Sequence, residues 1–110
     1  EFARRRGDFA LTSVVSVLRF SADRISDHVR ITIGSLAERA MRARDAERLL
    51  AGQFPQVALF EQAARAAAIE VQVGSDLHAS ADYRRDLIRT HVLLGLSECN
   101  RRQQTRADVG

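Results

Sequence analysis

Three stretches of the chain carry side chains that could do chemistry. Arg4-Arg5-Arg6-Gly7-Asp8-Phe9-Ala10 sets a run of guanidinium groups ahead of a Gly-Asp turn. A guanidinium donates in a planar fork, so such a run could hold a phosphate or a carboxylate. The competing reading is a charged loop in which Asp8 bonds backbone groups and pairs with an Arg. Asp76-Leu77-His78-Ala79-Ser80-Ala81-Asp82-Tyr83-Arg84-Arg85 contains Ser, His and Asp, the residue types of a hydrolase. A nucleophile needs a base within hydrogen-bonding reach and an oxyanion hole, and nothing local supplies them. Ser80 and Asp82 instead stand where helix caps belong. Arg84 and Arg85 read as anchors, one salt-bridged within the domain and the other exposed. The third stretch holds His91 on an apolar helix stripe, the place of a satisfied core or edge histidine.

Metal chemistry finds little support. Cys99 is the single cysteine, which excludes an internal disulfide and a Cys-based metal site. His28, His78 and His91 are scattered without metal-ligand spacing. The glycines are isolated, so no phosphate loop is formed. No catalytic residue and no metal ligand is assigned.

The elements that must position these groups follow from periodicity. Phe9 to Phe20 is rich in β-branched and apolar residues and reads as one long strand. Its apolar groups fall on both faces, which implies two-sided burial or a mid-strand bulge. Ser21-Ala22-Asp23-Arg24 makes a turn. His28 to Gly34 alternates cleanly, with Val29, Ile31 and Ile33 on one face. The short connection makes these two strands an antiparallel hairpin. A third short strand is expected near residues 36–42, because a hairpin alone is marginal. From Arg42 the period turns helical: Ala43, Ala46, Leu49 and Leu50 recur, and Gly52 stops the run. Val57, Phe60, Ala64, Ala67 and Val71 stripe a second helix after Pro55. Ser80 or Asp82 starts a third, striped by Tyr83, Leu87, His91 and Leu94 with Ile88 beside them. The expected fold is α+β: a small antiparallel sheet of two or three strands packed against three helices. Residues 1–99 form the domain and 100–110 a polar, frayed tail.

Composition bounds the function. The chain has 110 residues, 45% hydrophobic and 28% charged, so it reads as one small globular domain. A core of that size leaves little room for a complete cofactor cradle. All 17 basic residues are Arg, against 14 acidic ones, for a net charge of +3. Most Arg residues sit near an acid in the sequence, which argues against a dedicated nucleic-acid face. No apolar run reaches membrane-span length. No secretory leader is visible, and a reducing, cytoplasmic setting is expected. A start at Glu1-Phe2 without Met reads as that of a piece of a longer polypeptide.

The same stretches carry a family resemblance. Arg4 to Leu11 resembles the motif that opens the C-terminal domain of the FAD-binding, or medium, subunit of molybdenum hydroxylases. That family includes carbon monoxide dehydrogenase and the xanthine dehydrogenases. Arg30-Ile31-Thr32-Ile33-Gly34-Ser35 is similar to its strand ending in paired glycines. Arg42 to Gly52 resembles its first helix, and Asp76 to Leu87 the entry to its last. The four motifs occur in the family's order and cover about residues 1–96. The resemblance implies the α+β fold already expected. It further implies an FAD held mainly by a separate N-terminal domain, with this domain closing over the flavin ring. Arg5, Asp8, Phe9 and Leu11 are implied as the cofactor-binding positions, with Phe9 beside the ring. Where some relatives have Lys, Leu11 makes no polar contact. The implied partners are that N-terminal FAD domain, a molybdopterin-binding large subunit and an iron–sulfur small subunit. Electrons would pass from the molybdenum cofactor through iron–sulfur clusters to FAD.

Two further readings compete. One is a free-standing protein-interaction module derived from that domain. The other is a small Arg-rich nucleic-acid binder, which would show a steep salt dependence.

Overall fold

A computed structural model describes residues 2–9, 12–35, 40–71 and 81–109. Strands β1 (Phe2–Phe9), β2 (Thr12–Phe20), β3 (Ser26–Ser35) and β4 (Met41–Arg42) form one antiparallel sheet in sequential order. Helices α1 (Arg44–Leu50), α2 (Val57–Glu70) and α3 (Ala81–Val109) follow. The class is the expected α+β; the sheet has four strands rather than two or three.

β2 explains the two-faced apolar pattern. Thr12, Val14, Ser16 and Leu18 are buried, while Ser13, Val15, Val17 and Arg19 are half-exposed on the other face. Val29, Ile31 and Ile33 of β3 pair with Leu18, Ser16 and Val14 and join the buried face. Most of the expected strand, Thr12–Phe20, is β2, while Phe9 ends β1 opposite Thr12. Strand irregularity exists, but at Arg19/Phe20 near the turn rather than mid-strand. In that turn Ser21 accepts from Arg24 N–H at 2.9 Å, and Arg24 holds φ 63°, a value usually left to Gly or Asn.

β1 is the strand that periodicity hides. It is an edge strand in which Ala3 is buried while Arg4, Arg5 and Arg6 are exposed. Charge on an edge strand discourages pairing with other chains, at the expense of the apolar alternation that marks a strand. The Arg run is thus strand, not loop.

Helices α1 and α3 lie on the buried face, α1 over β3 and α3 over β1 and β2; α2 packs against both helices. Alanines make α2 slim: Ala63, Ala64, Ala67 and Ala68 are buried together with Phe60. Val57 of the expected stripe is 62% exposed, because it sits in the first turn, clear of the neighbours. α1 has no side-chain cap of its own at Ala43. Glu70 at the end of α2 supplies one, accepting from Asp45 N–H at 3.0 Å and Ala46 N–H at 3.1 Å. Gly52, at φ 78°, ends the α1 turn as expected.

The stripe of α3 is rotated from the expected one. Arg84, Ile88, Val92, Leu96 and Cys99 are buried, whereas Tyr83 and Leu94 are exposed. Leu87 and His91 are half-buried flanks. The helical backbone also continues past Asn100 to Val109, so the polar stretch read as a frayed tail prolongs α3.

Beyond β4, the outer side of β3 is completed by a side chain. Ala43 N–H donates to Ile31 C=O at 2.8 Å, and Ile31 N–H donates to Glu47 Oε2 at 3.0 Å. Arg42 reaches the same carboxylate through Nη2 at 2.6 Å and Nε at 3.2 Å. The hydrogen bond, then the charge of Glu47, holds the Arg42 guanidinium above its ordinary pKa.

Candidate functional site

The candidate site is the seam between α3 and the β1–β2 hairpin. Residues four apart on a helix share a face, and His91, Gly95 and Cys99 form such a row. Each meets the hairpin at close range. A β-carbon added at Gly7 would lie 2.7 Å from His91 Nδ1, so the imidazole occupies the space a side chain on β1 would need. A β-carbon at Gly95 would lie 2.8 Å from Ser16 Oγ and 3.8 Å from Arg5 Cγ. Cys99 Sγ donates to Ser16 C=O at 3.5 Å. The row runs antiparallel to β1, from Gly7 through Arg5 toward Arg4. Two glycines, one on each element, are what let helix and hairpin approach this closely.

Burial sets the chemistry of Cys99. Loss of solvation pushes its thiol up to about 11, which keeps it neutral and poorly nucleophilic. Next to Cys99, Glu98 accepts from Arg101 at 2.6 Å and from Arg102 at 3.2 Å. Arg102 also donates to Arg4 C=O at 3.0 Å, tying α3 to the edge strand. The Arg101 hydrogen bond leads in holding the Glu98 carboxyl down at about 2, against an ordinary 4.5, although burial opposes it. A depressed carboxyl stabilises the fold above its unfolded pKa and loses that contribution as pH falls toward its folded one. The α3–β1 tie is therefore expected to weaken between about pH 4.5 and about pH 2. Carboxyl carbon NMR of Glu98 checks it; a midpoint near 4.5 would show that the clamp does not form.

The positions proposed for cofactor binding divide across this seam. Strand alternation splits the Arg run: Arg5 shares the α3-facing side with Ala3 and Gly7, while Arg4 and Arg6 share the open face. A single three-guanidinium cluster is therefore not formed. Asp8 and Phe9 close β1 opposite Ser13 and Thr12, and their side chains lie outside the described set. Leu11 lies outside the described residues. On the open face Arg4, Val17 and Arg30 stand in one cross-strand row, and Arg6, Val15, Thr32 and Arg42 in the next. Arg19 on that face is paired with Asp27 at 3.0 Å.

The hydrolase-like stretch divides as well. Asp76 to Ser80 lies outside the described residues, and Asp82 is an exposed residue of the first turn of α3 paired with Arg85 at 3.3 Å. Arg84 is buried, so of the two arginines the exposed one carries this ion pair. Among the described residues no group of three or more His, Cys, Asp or Glu side chains could hold a metal ion, and no helix is long and apolar enough to cross a membrane. Sequence reasoning missed the contact of His91 with Gly7 and the ladder role of Glu47. The available signal for the first was Gly95 inside a helix, which marks a close approach.

Comparison with known proteins gives the seam a context. Residues 1–98 match the family model described as the CO dehydrogenase flavoprotein C-terminal domain. The nicotine 6-hydroxylase medium subunit of Paenarthrobacter nicotinovorans is 38% identical over 102 residues, covering 93% of this chain and 36% of that protein. From the same organism, the 6-hydroxypseudooxynicotine dehydrogenase complex subunit alpha is 32% identical, over 84% of this chain and 31% of that protein. A solved structure of carbon monoxide dehydrogenase from Hydrogenophaga pseudoflava, lacking the Mo-pyranopterin moiety, superposes with a TM-score of 0.78 at 27% identity, over 89% of this chain and 36% of that one. Quinoline 2-oxidoreductase from Pseudomonas putida 86 gives 0.75 at 29%, over 92% of this chain and 36% of that one. The chain spans about a third of the length of the relatives it matches.

Proposed function

The chain belongs to the CO dehydrogenase flavoprotein C-terminal domain family, and from that membership we propose that it closes over the flavin ring of an FAD-binding electron-transfer subunit. The observation that carries the reading is the family match, which takes in the β1–β2 hairpin and most of α3 together. In this reading the FAD is held mainly by an N-terminal FAD domain. The partner subunits carry the molybdenum cofactor and iron–sulfur clusters. FAD, when bound, supplies the redox relay; the protein supplies orientation, water exclusion and electrostatics.

The residues assigned to the flavin are Arg5, Asp8, Phe9 and Leu11. Phe9 and Leu11 offer apolar surface that excludes water from the ring. Asp8 orders the backbone at the hairpin end. Arg5 contributes a fixed positive charge at an edge already rigid through α3. The fit is that of one wall of a site, since the arginines of β1 divide between two faces of the sheet and cannot converge on a pyrophosphate. The chain alone is accordingly expected to bind FAD weakly or not at all.

Reconstitution tests this. The chain is joined, in cis or in trans, with the N-terminal FAD-binding region of a medium-type subunit, and FAD is added. Tight flavin with quenched fluorescence is expected, against brighter and looser flavin when the chain is omitted. Identical flavin behaviour with and without the chain would defeat the proposal and favour a free-standing interaction module.

A further inference from the structure

The geometry points to His91 as a positioning residue that sets where the β1 end of the β1–β2 hairpin sits against α3. Three observations carry this. First, the His91 imidazole and the Gly7 α-carbon are matched: a β-carbon at Gly7 would come within 2.7 Å of Nδ1 and 3.5 Å of Cε1 and Cγ, so the ring faces that one point of the strand. Contacts under 3.0 Å are not tolerated by real β-carbons, so either ring or strand would have to move. Second, Gly7 immediately precedes Asp8 and Phe9, the last residues of β1. A displacement of Gly7 is passed directly to them through the backbone. Third, His91 is half-buried and lies one turn before Gly95, where a β-carbon would lie 2.8 Å from Ser16 Oγ, so the helix already sits close on the hairpin. Lifting the helix to relieve a clash at Gly7 would break the bonds that tie α3 to the hairpin farther along, Cys99 Sγ to Ser16 C=O and Arg102 to Arg4 C=O. His91 thus acts as a spacer of fixed thickness between α3 and the flavin-facing stretch, a role that rests on the proposed flavin reading for its functional meaning.

A double-mutant cycle tests the pair. Gly7→Ala, His91→Ala and the double variant are prepared in the assembly of the chain with its FAD-binding region, and flavin release and flavin fluorescence are followed. Each single change is expected to speed flavin release several-fold. In the double variant the added methyl occupies the space the ring vacates, so release returns toward the unaltered rate. His91→Phe, which keeps a flat ring, is expected to hold flavin better than His91→Ala. Additive single effects, or changes in melting temperature with unaltered flavin release, would overturn the assignment. Should the unaltered assembly hold no flavin, the flavin reading falls by itself. The same cycle read as amide-exchange protection of β1 in the full chain then decides the spacer role: restored protection in the double variant supports it, and additive losses refute it.

Discussion

Replacing Phe60 with Ala is expected to lower the stability of the fold by about 3–5 kcal/mol. Among the described residues Phe60 is the largest fully buried side chain, 1% exposed, and stands on α2 among Ala63, Ala64 and Ala67. Alanines have no side-chain torsion with which to swing into a void. The cavity left by the ring would stay open, and the loss should fall toward the upper end of that range. Domains of this size are stable by roughly 5–15 kcal/mol, so the variant would stand near the edge of folding. Phe60→Leu, which keeps most of the volume, should cost far less, on the order of 1 kcal/mol. Urea unfolding of both variants separates the cases. A loss under about 1.5 kcal/mol for Phe60→Ala would mean that α2 settles inward and refills the space.

Glu47→Ala is expected to cost about 2–4 kcal/mol. The carboxylate is buried to 7% exposure and accepts from Ile31 N–H and from Arg42 at once. Its removal leaves a sheet N–H without an acceptor inside the core and a guanidinium without its partner. The Arg42 side chain is 34% exposed, so water compensates part of its loss, and most of the cost is charged to Ile31. Glu47→Gln tests this division. It keeps an acceptor for Ile31 while losing the ion pair, and should cost less than half as much as Ala. Equal losses for Gln and Ala would place the energy in the ion pair instead. Thermal unfolding gives the comparison, with the Ala variant melting lower by on the order of 10 °C.

The class of the fold was readable in the chain because its signals are local. Val29, Ile31 and Ile33 alternate, Ala43, Ala46 and Leu50 recur at helical spacing, and Gly52 stops α1 where a left-handed residue is needed. β1 was not readable, because an edge strand with exposed Arg4, Arg5 and Arg6 has no apolar alternation to show. The short strand expected near residues 36–42 is β4, Met41–Arg42, although two residues are too few to show a period. The α3 stripe was misplaced because Tyr83 and Leu94 fit helical spacing as well as Ile88 and Leu96 do, and only the neighbours decide which face turns inward. For the candidate site, the motif order pointed to the β1–β2 hairpin, but nothing local in the sequence pairs Gly7 with His91 or Ile31 with Glu47. Those contacts arise from topology, which brings α3 back across the first strand of the sheet. The same limit explains the Arg run: three adjacent cations read as one cluster until strand pleating turns Arg5 away from Arg4 and Arg6.

The contacts at the two margins of the sheet also govern self-association. A sheet grows by offering unpaired N–H and C=O groups to another chain. At one margin Arg102 occupies Arg4 C=O, and exposed arginines repel a second copy of the same strand. At the other, Gly52 and Gln53 bond Ser26, Ala43 and Glu47 bond Ile31, and β4 covers Thr32 and Ile33. A strand adding at β1 would meet Arg4 C=O already taken by Arg102, and one adding along β3 would meet Gln53, Glu47 or β4 first. Protonation of Glu98 in acid loosens the β1 margin, so strand addition at β1 is expected to be faster in acid than at neutral pH.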